Sequence, residues 1–356
     1  MACDGKKASV IGHRSSVNFS TMKRIKRFFT ILFLLIILAY ILGPKPDKPE
    51  MNRDLPSIPA SIGNIEDYIE KNDEGFPVKP DNESRIIWAN ENKKERTTYS
   101  LLYLHGFSAS WYEGYPAHER FAKTFGCNLY IPRLASHGLE TEDALIDMTP
   151  DALWDSAKEA LMVARRLGKK VIIMSTSTGG TLALNLASVF PEYVEGLILY
   201  SPNIKINDKA AFLLSKPWGL QIGRKAVGGK YRITNEDFSS KECQYWNCKY
   251  RMEATVYLQQ LLDVTMKKET FKKVTAPVFL AYYYKDADNQ DETVVVSAME
   301  KMYKYLGTLP EEKRKMAFPN AGDHVIACEL TSGSVEEVIA ESIRFGRDML
   351  KLKEVE

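Results

Sequence analysis

The chain is poor in the residues from which metal and redox centres are built: its 356 residues include five histidines and five cysteines. Cys243 and Cys248 have no histidine pair beside them, so the spacing of a zinc site is missing. Neither the glycine pattern of a dinucleotide-binding turn nor that of a P-loop occurs. No metal and no cofactor are therefore expected. Charge of one sign is scarce as well, with a formal net charge of +2. What excess there is sits at the start, where residues 1–27 hold seven Lys or Arg against one Asp and the remainder is slightly acidic. A body without clustered cations lacks the footprint that phosphates require, which excludes nucleic acid as an expected partner. Internal repeats are absent. With 45% hydrophobic and 26% charged residues, the composition is that of a globular protein able to fill a large core, and the length suits one catalytic domain with an insertion.

The one long hydrophobic run follows the basic tail. After Lys23, Arg24, Lys26 and Arg27, residues Phe28 to Gly43 are interrupted only by the uncharged Thr30. Residues 28–43 are expected to form a single-pass membrane anchor, although about 24 Å of helix is short of a hydrocarbon core of about 30 Å unless flanking cations reach the headgroups. A cleaved secretory signal and a buried core helix are the competing readings. Pro44 after Ile41, Leu42 and Gly43 makes a poor cleavage site. Because the cations precede the run, the catalytic body is expected on the non-cytoplasmic side. Residues 44–60 contain five prolines among charges and are expected to be an extended linker.

Strand-like and helix-like stretches alternate from Arg85 onward, a pattern that predicts a mostly parallel sheet with crossover helices. Thr149 is placed to cap a helix with Pro150 in its first turn, ending at Gly168. Val171–Met174 reads as a strand, and helical spacing resumes from Thr181 to Val189. Further strands are expected at Val194–Tyr200 and Val278–Tyr284. Between them, residues 203–275 read as a mainly helical cap that divides a core of residues 61–202 and 276–356. Ser334 and Glu337 have the spacing of a capping box for a last helix.

A serine nucleophile needs a base, a group that orients the base, and donors for the oxyanion. Ser175-Thr176-Ser177-Thr178-Gly179 lies where the strand gives way to the helix, and a sharp elbow there demands small residues two before and two after the nucleophile. Ser175 and Gly179 meet that demand for Ser177, whereas Ser175 as nucleophile would have Ile173 two before it.

On these residues the chain resembles an α/β-hydrolase of the carboxylesterase and monoacylglycerol lipase group, which also includes serine aminopeptidase-like members. Its Ser-x-Ser-x-Gly departs from the family's Gly-x-Ser-x-Gly at Ser175. His105-Gly106-Phe107 resembles the family's oxyanion turn, and Pro132-Arg133-Leu134 with His137-Gly138 resembles a downstream esterase segment. The likeness spans roughly Arg85 to Met349. It implies a mostly parallel central sheet flanked by helices, a helical cap, and a Ser, acid, His order along the chain. It also implies an oxyanion hole from the backbone of Phe107 and Thr178.

Four histidines precede Ser177, which leaves His324 as the base in this order, while His105 and His137 are expected to shape loops. The loop after Tyr284 offers Asp286, Asp288 and Asp291. The family's acid has an aliphatic residue at the third position after it, which favours Asp291 with Val294, whereas distance from the strand end favours Asp286. The implied activity is hydrolysis of a carboxylic ester, lipid-derived esters included, through an acyl-enzyme. An aminopeptidase or thioesterase on the same triad, and an inactive hydrolase fold used for binding, are the alternatives. Phe212, Trp218, Tyr245 and Trp246 are candidates for an acyl pocket or for plain core. Cys243 and Cys248 are a candidate disulfide outside the cytoplasm, and Cys127 and Cys328 are expected to be buried.

Overall fold

The structure, a computed structural model, describes residues 19–355; residues 1–18 of the expected basic tail lie outside the described residues. The chain divides into two units, residues 1–44 and residues 45–356. The first contains helix α1 (Phe19–Ile41), whose apolar side chains from Phe28 to Ile41 are exposed. No helix among the described residues is long and apolar enough to cross a membrane. The anchor expected at 28–43 thus maps onto the C-terminal part of α1, where the apolar run stays short of a hydrocarbon core for the reason of length already given.

The second unit is built on a seven-stranded sheet. Its strands are β1 (Arg85–Ile87), β2 (Thr97–Leu104), β3 (Asn128–Ile131), β4 (Gly168–Thr176), β5 (Val194–Tyr200), β8 (Val278–Tyr282) and β9 (Lys313–Ala317), in the order β1-β3-β2-β4-β5-β8-β9. Two further strands, β6 (Tyr231–Ile233) and β7 (Lys249–Arg251), pair as an antiparallel hairpin in the cap. Only β1 runs antiparallel to its neighbour in the main sheet.

The central strands read as continuous apolar runs because both faces are covered. Leu102, Leu104, Ile173, Leu197, Leu199 and Leu280 point into one core, and Leu101, Tyr103, Ile172, Met174, Ile198 and Phe279 into the other. The helices that enclose them are α2 (Ile65–Asp73), α3 (Ala117–Thr124), α4 (Pro150–Leu167), α5 (Thr178–Val189), α10 (Val296–Tyr305) and α11 (Val335–Asp348). The cap supplies α6 (Gly219–Ala226), α7 (Lys241–Tyr245) and α8 (Met252–Thr265), followed by α9 (Lys268–Lys273).

Local chemistry accounts for several boundaries. Thr149 Oγ1 accepts from Ala152 N at 3.1 Å and caps α4, with Arg165 and Arg166 in its last turn facing the negative helix end. Gly168 ends α4 as expected but opens β4, where a Cβ would stand 2.3 Å from Ser100 N. Helix α5 begins at Thr178 instead of Thr181, because the turn between strand and helix is a single residue, Ser177. The capping box expected at Ser334 does not form: Ser334 makes no side-chain cap bond, and its own N–H donates to Ser332 Oγ at 3.1 Å.

Residues 45–60 are extended, as their prolines imply, yet they are docked along the core. Glu50 N and Met51 N donate to Asp151 Oδ1, Trp154 Nε1 donates to Asn52 O, and Arg166 Nε donates to Pro59 O. The buried Lys158 ammonium donates to Asn52 O at 3.0 Å and Asp54 O at 2.8 Å. Ile58 inserts into the core at 7% exposure, so the segment is a strap and not a free spacer.

Candidate active site

The parallel strands bring their C-terminal ends to one edge of the sheet, and the candidate residues gather there. Ser177 follows the last residue of β4 and precedes the first of α5 with φ 52° and ψ −116°, a backbone conformation that is costly for a residue with a Cβ. The turn is held by Ser177 N donating to Tyr200 O at 3.0 Å and by Gly180 N and Asn203 N donating to Ser177 O, each at 2.9 Å. A Cβ on Gly179 would stand 1.9 Å from Leu104 O, so glycine is required at that position. At the position where the family has its first glycine, the Ser175 side chain is accommodated: it is fully buried, with Oγ 3.5 Å from Ile198 O. Ser177 itself is 6% exposed.

His324 stands on the loop after β9 and Asp291 on the loop after β8. Their side chains meet at 2.6 Å between His324 Nδ1 and Asp291 Oδ2. The other Asp291 oxygen accepts the backbone N–H groups of Thr293 and Val294, each at 2.9 Å. Two amides and an imidazole therefore fix this buried carboxylate. Asp286 is placed elsewhere: it is exposed and accepts Asp288 N, Asn289 N and Asn289 Nδ2 within its own loop. Asp288 is exposed on the same loop. Burial depresses the His324 pKa, but the Asp291 charge and hydrogen bond outweigh it and leave the pKa raised above 6.5. His324 Nε2 is buried without a hydrogen-bond partner among the described residues, so a bond to Ser177 is not formed here. Catalytic hydrogen bonds of this kind commonly tighten only with substrate in place.

Phe107 follows the C-terminal end of β2 and Thr178 follows that of β4. Thr178 is the first residue of α5, where a helical N–H has no partner within the helix, and neither amide has an acceptor among the described residues. His105 secures the turn before Phe107: its Nδ1 is 3.0 Å from Gly106 O and its Nε2 accepts Leu134 N at 3.2 Å. His137 packs against it at 5.0 Å between ring centroids and bonds Ala135 O through Nδ1. Burial lowers the pKa of both histidines, His137 to about 4.

One acid escaped the sequence reading. Glu113 lies on a short 3₁₀ turn (Trp111–Gly114), is 2% exposed, and accepts Gly106 N on Oε2 at 2.5 Å. Burial pushes its pKa up to about 7, against the opposing pull of the Gly106 amide, His324, Tyr103 and Trp246. Nothing in the surrounding sequence separates it from a surface glutamate.

Of the four candidate pocket aromatics, Trp246 reaches this acid. Tyr245 stacks on Tyr112 with centroids 4.3 Å apart, while Phe212 and Trp218 are 56% and 41% exposed. Tyr250, from the cap, packs edge-on against Phe107 at 5.1 Å. Cys243 and Cys248 form a disulfide that closes the loop bearing Tyr245 and Trp246. Cys127 and Cys328 are free and buried, and burial raises each thiol to about 12.

A family model described as the alpha/beta hydrolase family matches residues 101–329. Among solved structures, a protein from work on LipS and LipT, two metagenome-derived lipolytic enzymes, is similar at TM-score 0.61 and 18% identity, covering 76% of this chain and 99% of that one. A monoacylglycerol lipase of Paleococcus ferrophilus is similar at TM-score 0.53 and 12% identity, over 76% of this chain and 98% of that one. Est1E of Butyrivibrio proteoclasticus, solved with ferulic acid, gives 0.52 and 16%, over 75% and 95%. At these identities the structural likeness shows the fold alone. No curated protein matches the chain.

Proposed function

Because the chain belongs to the alpha/beta hydrolase family, we propose that it is a serine hydrolase that cleaves carboxylic esters through an acyl-enzyme. Ser177 Oγ attacks the ester carbonyl while His324 Nε2 takes its proton. Asp291 orients the ring through Nδ1 and offsets the positive charge that forms on it. The carbonyl oxygen, now an anion, accepts from Phe107 N and Thr178 N. Collapse of the tetrahedral adduct breaks the ester C–O bond, and the departing alkoxide takes the proton from His324. Water then repeats the sequence on the acyl-enzyme and releases the acid.

The observation that carries this reading is the 2.6 Å contact of two loop residues 33 positions apart in sequence, His324 and Asp291, at the same sheet edge as the strained Ser177 turn. The lipolytic and monoacylglycerol lipase neighbours favour an ester as substrate. Turnover of p-nitrophenyl esters of graded chain length tests it. Ser177→Ala is expected to lose on the order of 10⁶-fold in kcat. Turnover that survives the substitution in a folded protein would refute the assignment.

Membrane attachment through α1 belongs to the same proposal. The exposed apolar run from Phe28 to Leu42 follows Lys23, Arg24, Lys26 and Arg27, an order that favours the catalytic unit on the side opposite the cations. Snorkelling of Lys26 and Arg27 is what such a short run needs to engage a full bilayer.

A further inference from the structure

The search for unexplained chemistry around the sheet edge leads back to Glu113. A Cβ built on Gly106 would stand 2.6 Å from Glu113 Oε1 and 3.0 Å from Ser177 Cβ, so the carboxyl and the serine flank the same glycine. Gly106 is the residue before Phe107, and its N–H is the one Glu113 holds. A buried carboxyl of this kind is expected to have a cation beside it, yet among the described residues no Lys or Arg forms an ion pair with Glu113. The groups that face it are otherwise uncharged or weakly titrating. From β2 comes the Tyr103 hydroxyl, 3.4 Å from Oε2 and itself 2.9 Å from Thr176 Oγ1. From the loop after β9 come His324 and, further off, the thiol of Cys328. The cap contributes Trp246.

We propose that Glu113 is a positioning residue that holds the oxyanion turn as a neutral acid, and that its ionisation turns the hydrolase down. The inference rests on the oxyanion role given above to Phe107 and Thr178. As a neutral acid, Glu113 anchors Gly106 without opposing charge on the reacting oxygen. Once ionised, it places a full negative charge behind a hole that has only two backbone amides to offer. The help it could lend to the imidazolium is already supplied by Asp291 at 2.6 Å. A unit charge at roughly 6 Å in an effective dielectric of about 20 opposes oxyanion formation by on the order of a hundredfold in rate. The raised titration of Glu113, to about 7, places that loss just above neutral pH. Trp246 contacts the acid from within the disulfide-closed loop, and Asn247 N of that loop donates to Ser108 O at 2.8 Å, so the cap and the oxyanion turn are tied at this point.

The test is the pH profile of kcat from pH 5 to 10 on a neutral ester, with the full chain as wild type and as Glu113→Gln. The wild type is expected to fall on the alkaline side by up to about a hundredfold. Glu113→Gln keeps an acceptor for Gly106 N but carries no charge, so its rate relative to its own maximum is expected to stay level above neutral pH. A variant that merely lost a structural bond would shift the whole profile down without changing its shape. An alkaline limb that persists in Glu113→Gln overturns the proposal. Where the variant does not fold, the wild-type profile decides, because a rate that stays level to pH 9 overturns it equally. Failure of the serine hydrolase reading looks different: neither protein would then turn over ester, and Ser177 would resist active-site phosphonates.

Discussion

Asp291→Asn is the substitution whose consequence the structure determines most fully. Asparagine is isosteric with the native acid, so its Oδ1 can keep the amides of Thr293 and Val294, each now at 2.9 Å. That choice turns Nδ2 toward His324 Nδ1, where Asp291 Oδ2 stands at 2.6 Å. Two donors cannot share that contact. The ring is forced to carry its proton on Nε2, the nitrogen that must accept from Ser177, and the base is lost although every atom keeps its place. The expected loss is about 10⁴-fold in kcat, which at 1.36 kcal/mol per tenfold is roughly 5.5 kcal/mol of transition-state stabilisation. The assay is ester hydrolysis at saturating substrate and at a pH above the His324 titration, with melting temperature as the control for folding. Asp286→Asn is the comparison: an exposed residue whose bonds stay within its own loop is expected to change the rate by less than about threefold. Equal losses in the two variants, or a greater loss in Asp286→Asn, would refute the reasoning.

Since His324 must be neutral to accept a proton, kcat/KM is expected to fall as pH drops through its titration, with a midpoint above 6.5 that moves down in Asp291→Asn; a profile level down to about pH 5 would exclude a histidine base. Lys158→Ala leaves the Asn52 and Asp54 carbonyls without their buried donor, and urea denaturation is expected to show a loss of about 2–4 kcal/mol. An unchanged unfolding midpoint would mean that the two Lys158 bonds to the strap contribute nothing to the fold. The full chain is expected to pellet with membranes in high salt while residues 45–356 stay in solution, because apolar burial is not screened by ions. Release of the full chain by salt alone would exclude attachment through the apolar face of α1.

Much of the core was readable because its signals are local. The capped α4, the apolar β4 and the Ser177 turn each declare themselves within a few residues, and the order of histidines along the chain singles out His324 once the family likeness is granted. Choosing among Asp286, Asp288 and Asp291 is harder, since all three share one loop and only the fold shows which is buried against a histidine, Asp291. The strap, the β6–β7 hairpin and the burial of Glu113 were not readable. Prolines among charges look alike whether the segment floats or lies against Trp154 and Lys158. A glutamate on an aromatic-rich turn gives no local sign that Gly106, Tyr103, His324 and Trp246, the last some 130 positions later, will surround it. The capping box at Ser334 failed for a related reason: a competing local bond from Ser332 took the backbone donor first.

Covalent labelling by a fluorophosphonate tests the central claim most directly, because phosphorus is attacked by an activated serine and retains the adduct. The purified chain, incubated with the reagent, digested and analysed by mass spectrometry, is expected to carry one phosphonyl group on the peptide containing Ser177. Labelling is expected to vanish in Ser177→Ala and to slow severely in Asp291→Asn, while Ser175→Gly still labels because Ser175 serves the turn by its small size. Modification at Ser175 or any other serine, or a folded wild type that takes up no reagent, would contradict the account.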